Sequence, residues 1–503
     1  MDQSHAASHP WRVAVVGGGL AGLAAAHRLQ TLCEDADRPL DLVLFEAAER
    51  LGGVIGPSRR GDWLVEPAAD SFITTNPWAT DLCRELGLED EIIPTEERYR
   101  GSLVLRKGRA VPVPDGFLLL APAKIGAVLR SPIFSPWGKL RLALEYFVPR
   151  RRRGGDESLA SFVRRRFGRE ALDRLVQPLV GGIYTADPEK LSLAATMPRY
   201  LEMERTHRSL IVAARKHSAQ PAGNLPPEAR SAGRCPPAIG SGARYGLFVT
   251  LRGGMWDLVA AFERRLVVAA QIRTGVAVER IAQVEPAAGE RGPLYELFLA
   301  DGGLQTFDAV VLALPAYRAA QLLAALDADL AALLRGIEYA SSAVVVSGHA
   351  LADVSHPLDA FGLVVPARER RRIIAISFAS RKFPGRAPEG KVLLRTFVGG
   401  ALQPEMFAKS DDEILAAVRE ELREILGVSG RPDFETVHRW PRAMAQYHVG
   451  HLDRVARIEQ RLAAHPALAL AGNALHGVGI PHVLHSGEEA ARRLFATIGK
   501  RGA

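Results

Sequence analysis

Three glycines near the start of the sequence have the spacing of a phosphate-binding turn. Gly17, Gly19 and Gly22 follow the apolar run 12–16 and precede the alanine-rich segment 20–29. The first glycine permits a tight turn, the second lets the backbone approach a pyrophosphate, and the third lets the helix pack closely on the strand. The amides that begin the helix would face the phosphates at the positive end of its dipole. The spacing therefore predicts a dinucleotide site, although the pattern alone also occurs in ordinary glycine-rich turns.

An acidic residue closes the next apolar run. Glu46 ends the segment 41–46, as expected for a strand–turn–helix–strand unit that finishes with a ribose-binding acid. A carboxylate at this place accepts hydrogen bonds from the 2′-hydroxyl of a ribose and disfavours a 2′-phosphate. The alternative is an ordinary surface glutamate. The order of the elements favours the nucleotide site.

Two more glycines come shortly after the acid. Arg50, Gly52 and Gly53 lie in the run Glu46-x-x-x-Arg-Leu-Gly-Gly. Glycines there would let a second backbone segment approach the same ligand. A nicotinamide dinucleotide does not need this addition, whereas a long cofactor with a bulky second half does. For Arg50 the alternative is a surface cation that pairs with Glu49.

A second glycine-rich turn lies near the other end of the sequence. The apolar run 468–471 leads to Gly472 and Asn473, and the run Gly477-Val-Gly-Ile-Pro follows. We expect a helix from about Ser486. A helix that begins after such a turn presents free amides and a positive dipole end to negative charge. The alternative is ordinary helix capping.

The cysteines and histidines do not form a metal-binding pattern. Three sparse cysteines without a C-x-x-C spacing argue against a zinc site or a disulfide framework and favour a reducing compartment. The histidines near the second turn (His476, His482 and His485) lack an evident partner ligand, so we predict no metal. We also find no convincing serine–histidine–aspartate set or carboxylate pair, and we expect a cofactor to carry the chemistry.

The composition is that of a globular protein with two or three structural units. The 503 residues are 48% apolar and 24% charged, with a net charge of +8. The basic residues are spread along the chain, whereas a nucleic-acid domain would concentrate them, so we predict no nucleic-acid partner. No apolar run approaches the ~20 residues of a membrane-spanning helix, and no signal peptide is visible. We expect a cytoplasmic protein that is soluble or lies on a membrane.

The predicted elements indicate an α/β fold of mixed, α+β character. The strands at 12–16 and 41–46, with the helix between them, form a parallel β-α-β unit. Residues 156–216 are predicted to be helical and 336–400 to be rich in strands. The segment 217–245 is rich in proline, glycine, serine and alanine and is predicted to be a loop.

These motifs together resemble a family of flavoproteins. The two N-terminal glycine motifs, Thr250–Met255 and Asp308–Pro315 are similar to the amine-oxidase-like flavoprotein superfamily. Three longer segments narrow the resemblance to the porphyrinogen oxidases of haem biosynthesis: Gly181–Ser192, Trp440–Leu452 and Gly472–Pro481. The resemblance covers residues 12–495, and these three segments are far more specific than the dinucleotide motif.

The resemblance implies an FAD-binding Rossmann-like domain, a mixed-sheet substrate domain and a helical membrane-facing domain. The limits that we expect are 11–90, 243–320 and 440–500 for a discontinuous FAD-binding domain, 91–216 for the helical domain, 217–242 for a flexible loop and 321–439 for the substrate-binding domain. The implied activity is oxidation of a porphyrinogen to the porphyrin, with dioxygen as acceptor and hydrogen peroxide released.

The resemblance also implies that FAD is held non-covalently and that the two glycine turns converge on it. The cofactor-binding residues that we expect are Gly17, Gly18, Gly19, Leu20, Ala21, Gly22, Glu46, Ala47, Arg50, Gly52, Gly53, Val54, Pro67, Ala68, Ala69, Asp70, Val278, Trp440, Gly472, Val478, Gly479 and Ile480. Val278 would meet the adenine through its backbone, and Trp440 and residues 478–480 would flank the isoalloxazine. No catalytic side chain is assigned, since flavin N5 does the chemistry.

Two places depart from the family pattern. Pro67-Ala-Ala precedes Asp70 where relatives often carry a Gly-Pro pair, so the loop geometry there is open. A substrate-anchoring arginine of some relatives aligns near Ser102. We expect Arg100 to take its place, with Arg106 as the alternative, and Phe72 as a second substrate contact.

The implied substrate is a wide apolar ring with carboxylates at its edge, which needs an apolar slot with cations at the rim. Apolar segments at 117–148 would line such a slot or face a membrane. The alternatives are an amine oxidase or carotenoid desaturase of the same superfamily, and a non-catalytic lipid or prenyl carrier on the same fold. Protoporphyrinogen IX versus coproporphyrinogen III, contact with the inner face of a membrane, and homodimer formation stay open.

Overall fold

The structure is a computed structural model. It describes residues 9–57, 59–115, 117–118, 120–122, 125–151, 154–219, 248–284 and 294–502. Most of the predicted loop 217–242, with Cys235, lies outside these ranges, and its first three residues end the helix Leu210–Ala219. Across the described ranges, no helix has both the length and the apolar character needed to cross a membrane.

A five-stranded parallel sheet forms the centre of the unit that is predicted to bind the dinucleotide, which we call the nucleotide-binding unit. Its strands lie in the order Gln271–Arg273, Leu40–Phe45, Trp11–Val16, Ala309–Leu312 and Leu468–Leu470. The apolar runs of the two N-terminal strands are buried on both faces, as parallel strands covered by helices must be. The predicted β-α-β unit is confirmed. The strand Leu468–Leu470 is the sheet neighbour of Ala309–Leu312, which brings the C-terminal region beside the N-terminal turn.

Helices cover both faces of this sheet, and two of them pack directly on each other. Leu20–Asp35 is rich in alanine, which lets the C-terminal helix Ile480–Gly502 approach closely. The other helices of the unit are Trp78–Glu85, Trp256–Leu266, Ala316–Leu322, Ala328–Arg335 and His451–Leu462. Two three-stranded sheets flank it, in the orders Phe72–Ile73, Phe248–Leu251, Ile92–Pro94 and Val278–Val284, Leu294–Leu299, Leu304–Phe307.

A seven-stranded mixed sheet forms the second unit. Its strands lie in the order Phe434–Ala445, Tyr339–Ala350, Lys391–Gly399, Ala375–Phe378, Gly362–Val364, Leu103–Arg106 and Arg109–Pro112. The predicted strand-rich character of 336–400 is confirmed. The last two strands fall within 91–216, where a helical domain was expected, so the sheet pairing crosses that predicted limit. The domain limits themselves stay predictions.

One face of this sheet packs on the helix Asp411–Leu426. The helix begins with a capping box between Ser410 and Glu413, and it ends at Gly427, which has a φ of +63°. The opposite face carries Val344 and Val346, which pack with Trp63 and Val65. This second face is therefore turned toward the N-terminal unit.

The third part is helical and surrounds its own apolar core. Its helices are Ile125–Arg130, Pro136–Ala143, Leu159–Phe167, Arg169–Ala171, Gln177–Tyr184, Leu193–Thr196, Pro198–His207 and Leu210–Ala219. A buried ion cluster crosses this core: Arg166 pairs with Glu145 and lies 3.4 Å from Glu204. Paired charges of this kind tolerate burial.

Candidate functional site

The first glycine turn joins the central strand of the parallel sheet to the helix Leu20–Asp35. Gly17 has a φ of +109°, and a Cβ there would lie 2.4 Å from the carbonyl oxygen of Ala313. A Cβ on Gly22 would lie 1.8 Å from the carbonyl oxygen of Gly17, so only glycine allows this packing. Gly19 faces open space, with no atom within 4 Å of a Cβ built there. This space, beside the first amides of a helix, suits a bound anion.

Glu46 connects this turn to the end of the neighbouring strand. Its Oε2 accepts a hydrogen bond from the Gly18 amide at 2.7 Å, and its Oε1 accepts one from the Ala48 amide at 2.8 Å. A carboxylate offers about four acceptor positions, so both oxygens retain capacity for ribose hydroxyls. Sequence reasoning proposed only the ribose contact. The structure adds that this acid also fixes the turn.

The second pair of glycines lies against the first turn. The Gly52 amide donates to the carbonyl oxygen of Gly18 at 2.8 Å. A Cβ on Gly53 would lie 3.3 Å from the Cα of Gly19, which is tighter than ordinary contact. The open space beside Gly19 therefore has a second wall of backbone, and Val54 next to it is 44% exposed.

Arg50 shapes this second loop from within. Its guanidinium donates to the carbonyl oxygens of Leu51, Gly53 and Ile55 at 2.9, 3.0 and 2.7 Å. These bonds, rather than a pairing with Glu49, occupy the side chain. A guanidinium presents five donors in a fixed fork, which explains how one residue can hold three carbonyls of a turn.

The C-terminal turn leads into a helix that begins at Ile480, not near Ser486 as expected. Proline is tolerated in the first helical turn because an amide there has no partner, so Pro481 does not delay the helix. Ser486 lies inside the helix, where its hydroxyl donates to the carbonyl of Val483 at 2.7 Å and accepts from the Gly472 amide at 2.9 Å. The earlier start places residues 478–480 at the helix N-terminus.

The two glycine turns lie side by side. Gly17 contacts Ala313, and a Cβ on Gly472 would lie 3.8 Å from the carbonyl oxygen of the next residue, Leu314. The helices that follow the turns also touch, since a Cβ on Gly487 would lie 2.1 Å from the carbonyl oxygen of Ala21. These contacts place the two turns next to each other, while their convergence on one cofactor stays a prediction.

The segment Pro67–Asp70 links the glycine loops to the seven-stranded sheet. A Cβ on Gly56 would lie 3.4 Å from the ring of Pro67 and from the guanidinium of Arg50. On the sheet side, the indole N–H of Trp440 donates to the carbonyl oxygen of Pro67 at 2.9 Å. Residues 67–70 all have negative φ, so this backbone does not need the glycine that relatives often carry.

The carboxylate of Asp70 is held between two cations. Its Oδ1 accepts from the ammonium of Lys382 at 3.0 Å and from the hydroxyl of Ser71 at 2.8 Å, and its Oδ2 lies 2.8 Å from Nη1 of Arg395. Burial opposes its ionisation, but the two cations and these bonds hold the pKa of Asp70 well below its usual range. Arg395 also donates to the carbonyl oxygen of Ala68.

The partners of Asp70 are not predicted by any motif in the sequence. Arg395 left a signal, because it interrupts the apolar run 392–398 and a charge in a buried strand needs a partner. Lys382 lies in a short helix with no motif around it. Glu66 is also buried, accepts from the Met255 amide at 2.8 Å, and has its pKa raised to about 7 by burial.

Two of the family-specific segments meet at the C-terminal turn. The hydroxyl of Tyr447 donates to the carbonyl oxygen of Asn473 at 2.8 Å and accepts from the Gly477 amide at 2.7 Å. The side-chain amide of Asn473 donates to the carbonyl oxygen of Ala443 at 3.1 Å. These bonds fix the end of the Trp440 strand against the turn.

The other residues predicted to contact the cofactor or the substrate lie in different parts of the structure. The amide of Val276, two residues before Val278, donates to the carbonyl oxygen of Glu46 at 3.0 Å, so Val278 lies near the predicted ribose-binding acid. Its contact with an adenine stays a prediction. Phe72 is buried in the core of the nucleotide-binding unit. The guanidinium of Arg100 lies 3.6 Å from Glu97. Substrate contact by Phe72 and Arg100 stays a prediction.

The C-terminal histidines are occupied by neighbouring side chains. Nε2 of His476 lies 2.9 Å from a carboxylate oxygen of Glu459, and the ring of His485 stacks on Trp78 at 3.9 Å between centroids. In the part of the chain that the structure describes, no three histidine, cysteine or acidic side chains are grouped to hold a metal ion.

Known proteins are similar to this chain over nearly its whole length. The profile of the flavin-containing amine oxidoreductases matches residues 20–495. A coproporphyrinogen III oxidase of Bacillus subtilis is 32% identical to this chain, covering 95% of it and 96% of the relative. A coproporphyrinogen III oxidase of Propionibacterium freudenreichii is 34% identical, covering 96% and 90%. A solved structure from Exiguobacterium sp. 255-15, provisionally assigned as a protoporphyrinogen oxidase, has a TM-score of 0.82 at 26% identity and covers 97% of this chain and 99% of that one.

Proposed function

The chain belongs to the family of flavin-containing amine oxidoreductases, and on this basis we propose that it oxidises a porphyrinogen to the porphyrin in haem biosynthesis. The observation that carries the proposal is the similarity, over nearly the whole chain, to coproporphyrinogen III oxidases of two bacteria. Dioxygen is the proposed electron acceptor and hydrogen peroxide the proposed second product.

The cofactor is FAD, and the residues present fit it. The open space beside Gly19, bounded on one side by Gly53, can hold a pyrophosphate. A Cβ on Gly53 would narrow this space. Glu46 retains acceptor capacity for the ribose hydroxyls. A second helix N-terminus, at residues 478–480, lies beside the first through the contact of both turns with residues 313–314. A cofactor with negative charge at two separated places matches this pair of helix starts.

Bound FAD supplies acceptance of a hydride from a substrate carbon and delivery of the electron pair to dioxygen. The chain's own residues supply position and electrostatics. Trp440, fixed by its bond to Pro67, would form a wall of the flavin pocket. The amides at 478–480 would face negative charge that develops on the reduced ring, because they stand at a helix N-terminus.

The residue proposed to bind the substrate follows from the charges that a porphyrinogen carries. The carboxylates at the edge of a porphyrinogen call for cations that can pair in a bidentate way. Arg100 is the proposed anchor, with Arg106 as the alternative. The Nε atoms of both are buried and have no hydrogen-bond partner among the described residues, and the acid that pairs with Arg100, Glu97, is exposed. A guanidinium with unused donors is suited to a substrate carboxylate.

We also propose that the helical part contacts a membrane surface peripherally. Trp137, Leu140 and Leu144 are spaced three and four residues apart and lie on one helical face, and all three are exposed. Phe147, at the end of the following helical turn Leu144–Phe147, is 66% exposed. Aromatic and leucine side chains on one exposed face are typical of helices that lie in a membrane interface.

The proposal is tested by supplying the purified, FAD-loaded protein with coproporphyrinogen III or protoporphyrinogen IX in air. Porphyrin fluorescence and hydrogen peroxide should appear together, and the ratio of kcat/KM for the two substrates identifies the preferred one. An Arg100→Leu variant should raise KM more than it changes kcat. The absence of both products from both substrates would remove the function while leaving the family assignment intact.

A further inference from the structure

A group of five buried or nearly buried charged side chains lies between the predicted flavin-lining segment and the seven-stranded sheet. We call it the buried charge cluster; its members are Glu66, Asp70, Lys382, Arg386 and Arg395. Arg395 is opposite Val346 in the sheet register and so points to the face that packs on the N-terminal unit. Glu66, Arg386 and Arg395 are each 2% exposed.

Positive charge exceeds negative charge in this cluster. Asp70 is paired with both Lys382 and Arg395. The guanidinium of Arg386 donates to neutral acceptors: the carbonyl oxygens of residues 251 and 252 at 2.9 and 3.1 Å, and the hydroxyl of Thr250 at 3.1 Å. Its charge acts on Glu66, Asp70 and Lys382, and also on Asp257 and Arg59 outside the cluster, whose charges are of opposite sign. Three cations thus face two carboxyl groups.

The carboxyl group of Glu66 compensates the excess positive charge of the cluster only partly. Burial raises the pKa of Glu66 to about 7, so near neutral pH it spends much of its time uncharged. An uncompensated buried cation costs free energy unless another group offsets its charge. Nε of Arg395 is likewise buried without a hydrogen-bond partner in the described part of the chain. The cluster therefore has positive charge that a nearby anion would stabilise.

The cluster is bonded directly to the segment that is proposed to line the flavin. Arg395 donates to the carbonyl oxygen of Ala68, and Lys382 and Arg395 hold Asp70. The carbonyl of Pro67 is also held from the sheet side, by Trp440. Two consecutive carbonyls of the segment are thus fixed from the same side by the sheet, and the positive charge lies immediately behind them.

We propose that the buried charge cluster raises the reduction potential of the bound flavin, by stabilising the negative charge that the ring gains on reduction, and that Lys382 is its principal tuning residue. This inference rests on the proposed binding of FAD. The interaction of a fixed charge with the flavin is strengthened by a low-dielectric interior. A more easily reduced flavin takes a hydride from carbon more readily. Lys382 and Arg395 are positioning and tuning residues here, since neither is assigned contact with the substrate.

The experiment measures the midpoint potential of FAD in the purified protein, by equilibration with redox dyes, together with the affinity for sulfite, which adds to electron-poor flavins. Lys382→Met removes one cation, and we expect the preference for reduced flavin to fall at least tenfold, about 30 mV for a two-electron couple, with weaker sulfite binding. Lys382→Arg should restore most of the potential. Lys409→Met, which removes an exposed cation paired with Glu413, is the control and should change neither quantity.

The Glu66→Gln variant should shift the reduction potential of the flavin in the opposite direction. It removes a negative charge at nearly constant volume, so the potential measured above pH 7 should rise. If Lys382→Met fails to hold FAD, the Glu66→Gln result decides alone. An unchanged potential in FAD-loaded Lys382→Met, a shift of the same sign in both variants, or an unchanged potential in Glu66→Gln would overturn the proposal. The measurement uses no porphyrinogen, so a failure of the proposed substrate oxidation remains a separate result.

Discussion

Gly487 of the C-terminal helix lies directly against the backbone of Ala21 in the first helix. A Cβ on Gly487 would lie 2.1 Å from the carbonyl oxygen of Ala21 and 3.1 Å from the amide nitrogen of Ala25. Because both groups belong to backbone, neither can move aside alone. This contact sets the spacing of the two helices. The start of one is proposed to face the pyrophosphate of FAD, and the start of the other the negative charge on the reduced ring.

Replacing Gly487 by alanine should therefore separate the helices. We expect the Gly487→Ala variant to lose ~1–3 kcal/mol of stability, the usual cost of overpacking, and to bind FAD more weakly. Gly499→Ala in the same helix is the matched control, because its Cβ would meet only Trp11 at 3.8 Å, and alanine favours a helix over glycine. Thermal unfolding and FAD titration measure both effects. Equal behaviour of the two variants would show that the helix contact does not set the site.

The role of Glu46 can be separated from that of its neighbour. We expect Glu46→Ala to weaken FAD binding at least tenfold, because it removes the ribose acceptor and also releases the Gly18 amide. Glu49→Ala changes an exposed acid three residues later and serves as the control. FAD dissociation constants, from the fluorescence of released flavin, test the difference. Unchanged affinity in Glu46→Ala would mean that the ribose lies elsewhere.

The buried carboxyl group of Glu66 should make the stability of the protein decrease as the pH rises. Burial raises its pKa from 4.5 to about 7, so its contribution to stability is complete below about pH 4.5 and is lost as the pH rises through 7. The groups that act on it include the Met255 amide, Asp70, Arg386 and Arg395. Asp70 does not mask this change, because its lowered pKa places its own effect at more acidic pH.

Glu66→Gln should therefore flatten the decline of stability between about pH 4.5 and 7. Urea unfolding at several pH values, with both proteins equally saturated with FAD, measures this slope. Glu421→Gln is a control, since Glu421 is also buried but lies on the other side of the seven-stranded sheet, in the helix Asp411–Leu426, and pairs with Arg371. A slope in Glu66→Gln equal to that of the unmodified protein would contradict the assignment.

The exposed apolar face of the helical part can be tested with lipid vesicles. We expect a Trp137→Ser, Leu140→Ser double variant to bind anionic vesicles more weakly than the unmodified protein in a sedimentation assay. Leu304→Ser is the control, because Leu304 is 53% exposed but belongs to a sheet of the nucleotide-binding unit. If the unmodified protein does not sediment with vesicles, the membrane contact is wrong.

Residues that act through the backbone of a local turn could be predicted from the sequence, whereas residues that act through a distant partner could not. Gly17, Gly19 and Gly22 were identifiable because a turn's geometry restricts the local residue types. The order of strands around them followed from apolar runs. The start of the C-terminal helix was misplaced because Ser486 resembles a capping residue, whereas its hydroxyl bonds within the helix and to Gly472.

The partners of Asp70 could not be predicted in the same way. Lys382 and Arg395 reach it across more than 300 positions of sequence, and nothing local to either residue specifies that pairing. The role of Arg50 was also open between a surface ion pair and a ligand contact. The structure shows a third arrangement, in which the side chain binds its own loop. Long-range side-chain pairing depends on the folded topology.

The proposed function is tested most directly by an anaerobic single turnover. FAD-loaded protein is mixed with coproporphyrinogen III without oxygen, and the visible absorbance of the flavin is followed, with porphyrin measured after oxygen is admitted. The flavin should bleach on mixing and recover its colour, with formation of hydrogen peroxide, when oxygen is admitted. Porphyrin should appear only after repeated two-electron cycles, because its formation removes six electrons and one flavin accepts two. Flavin that stays oxidised in the presence of coproporphyrinogen III and of protoporphyrinogen IX alike would contradict the proposed function.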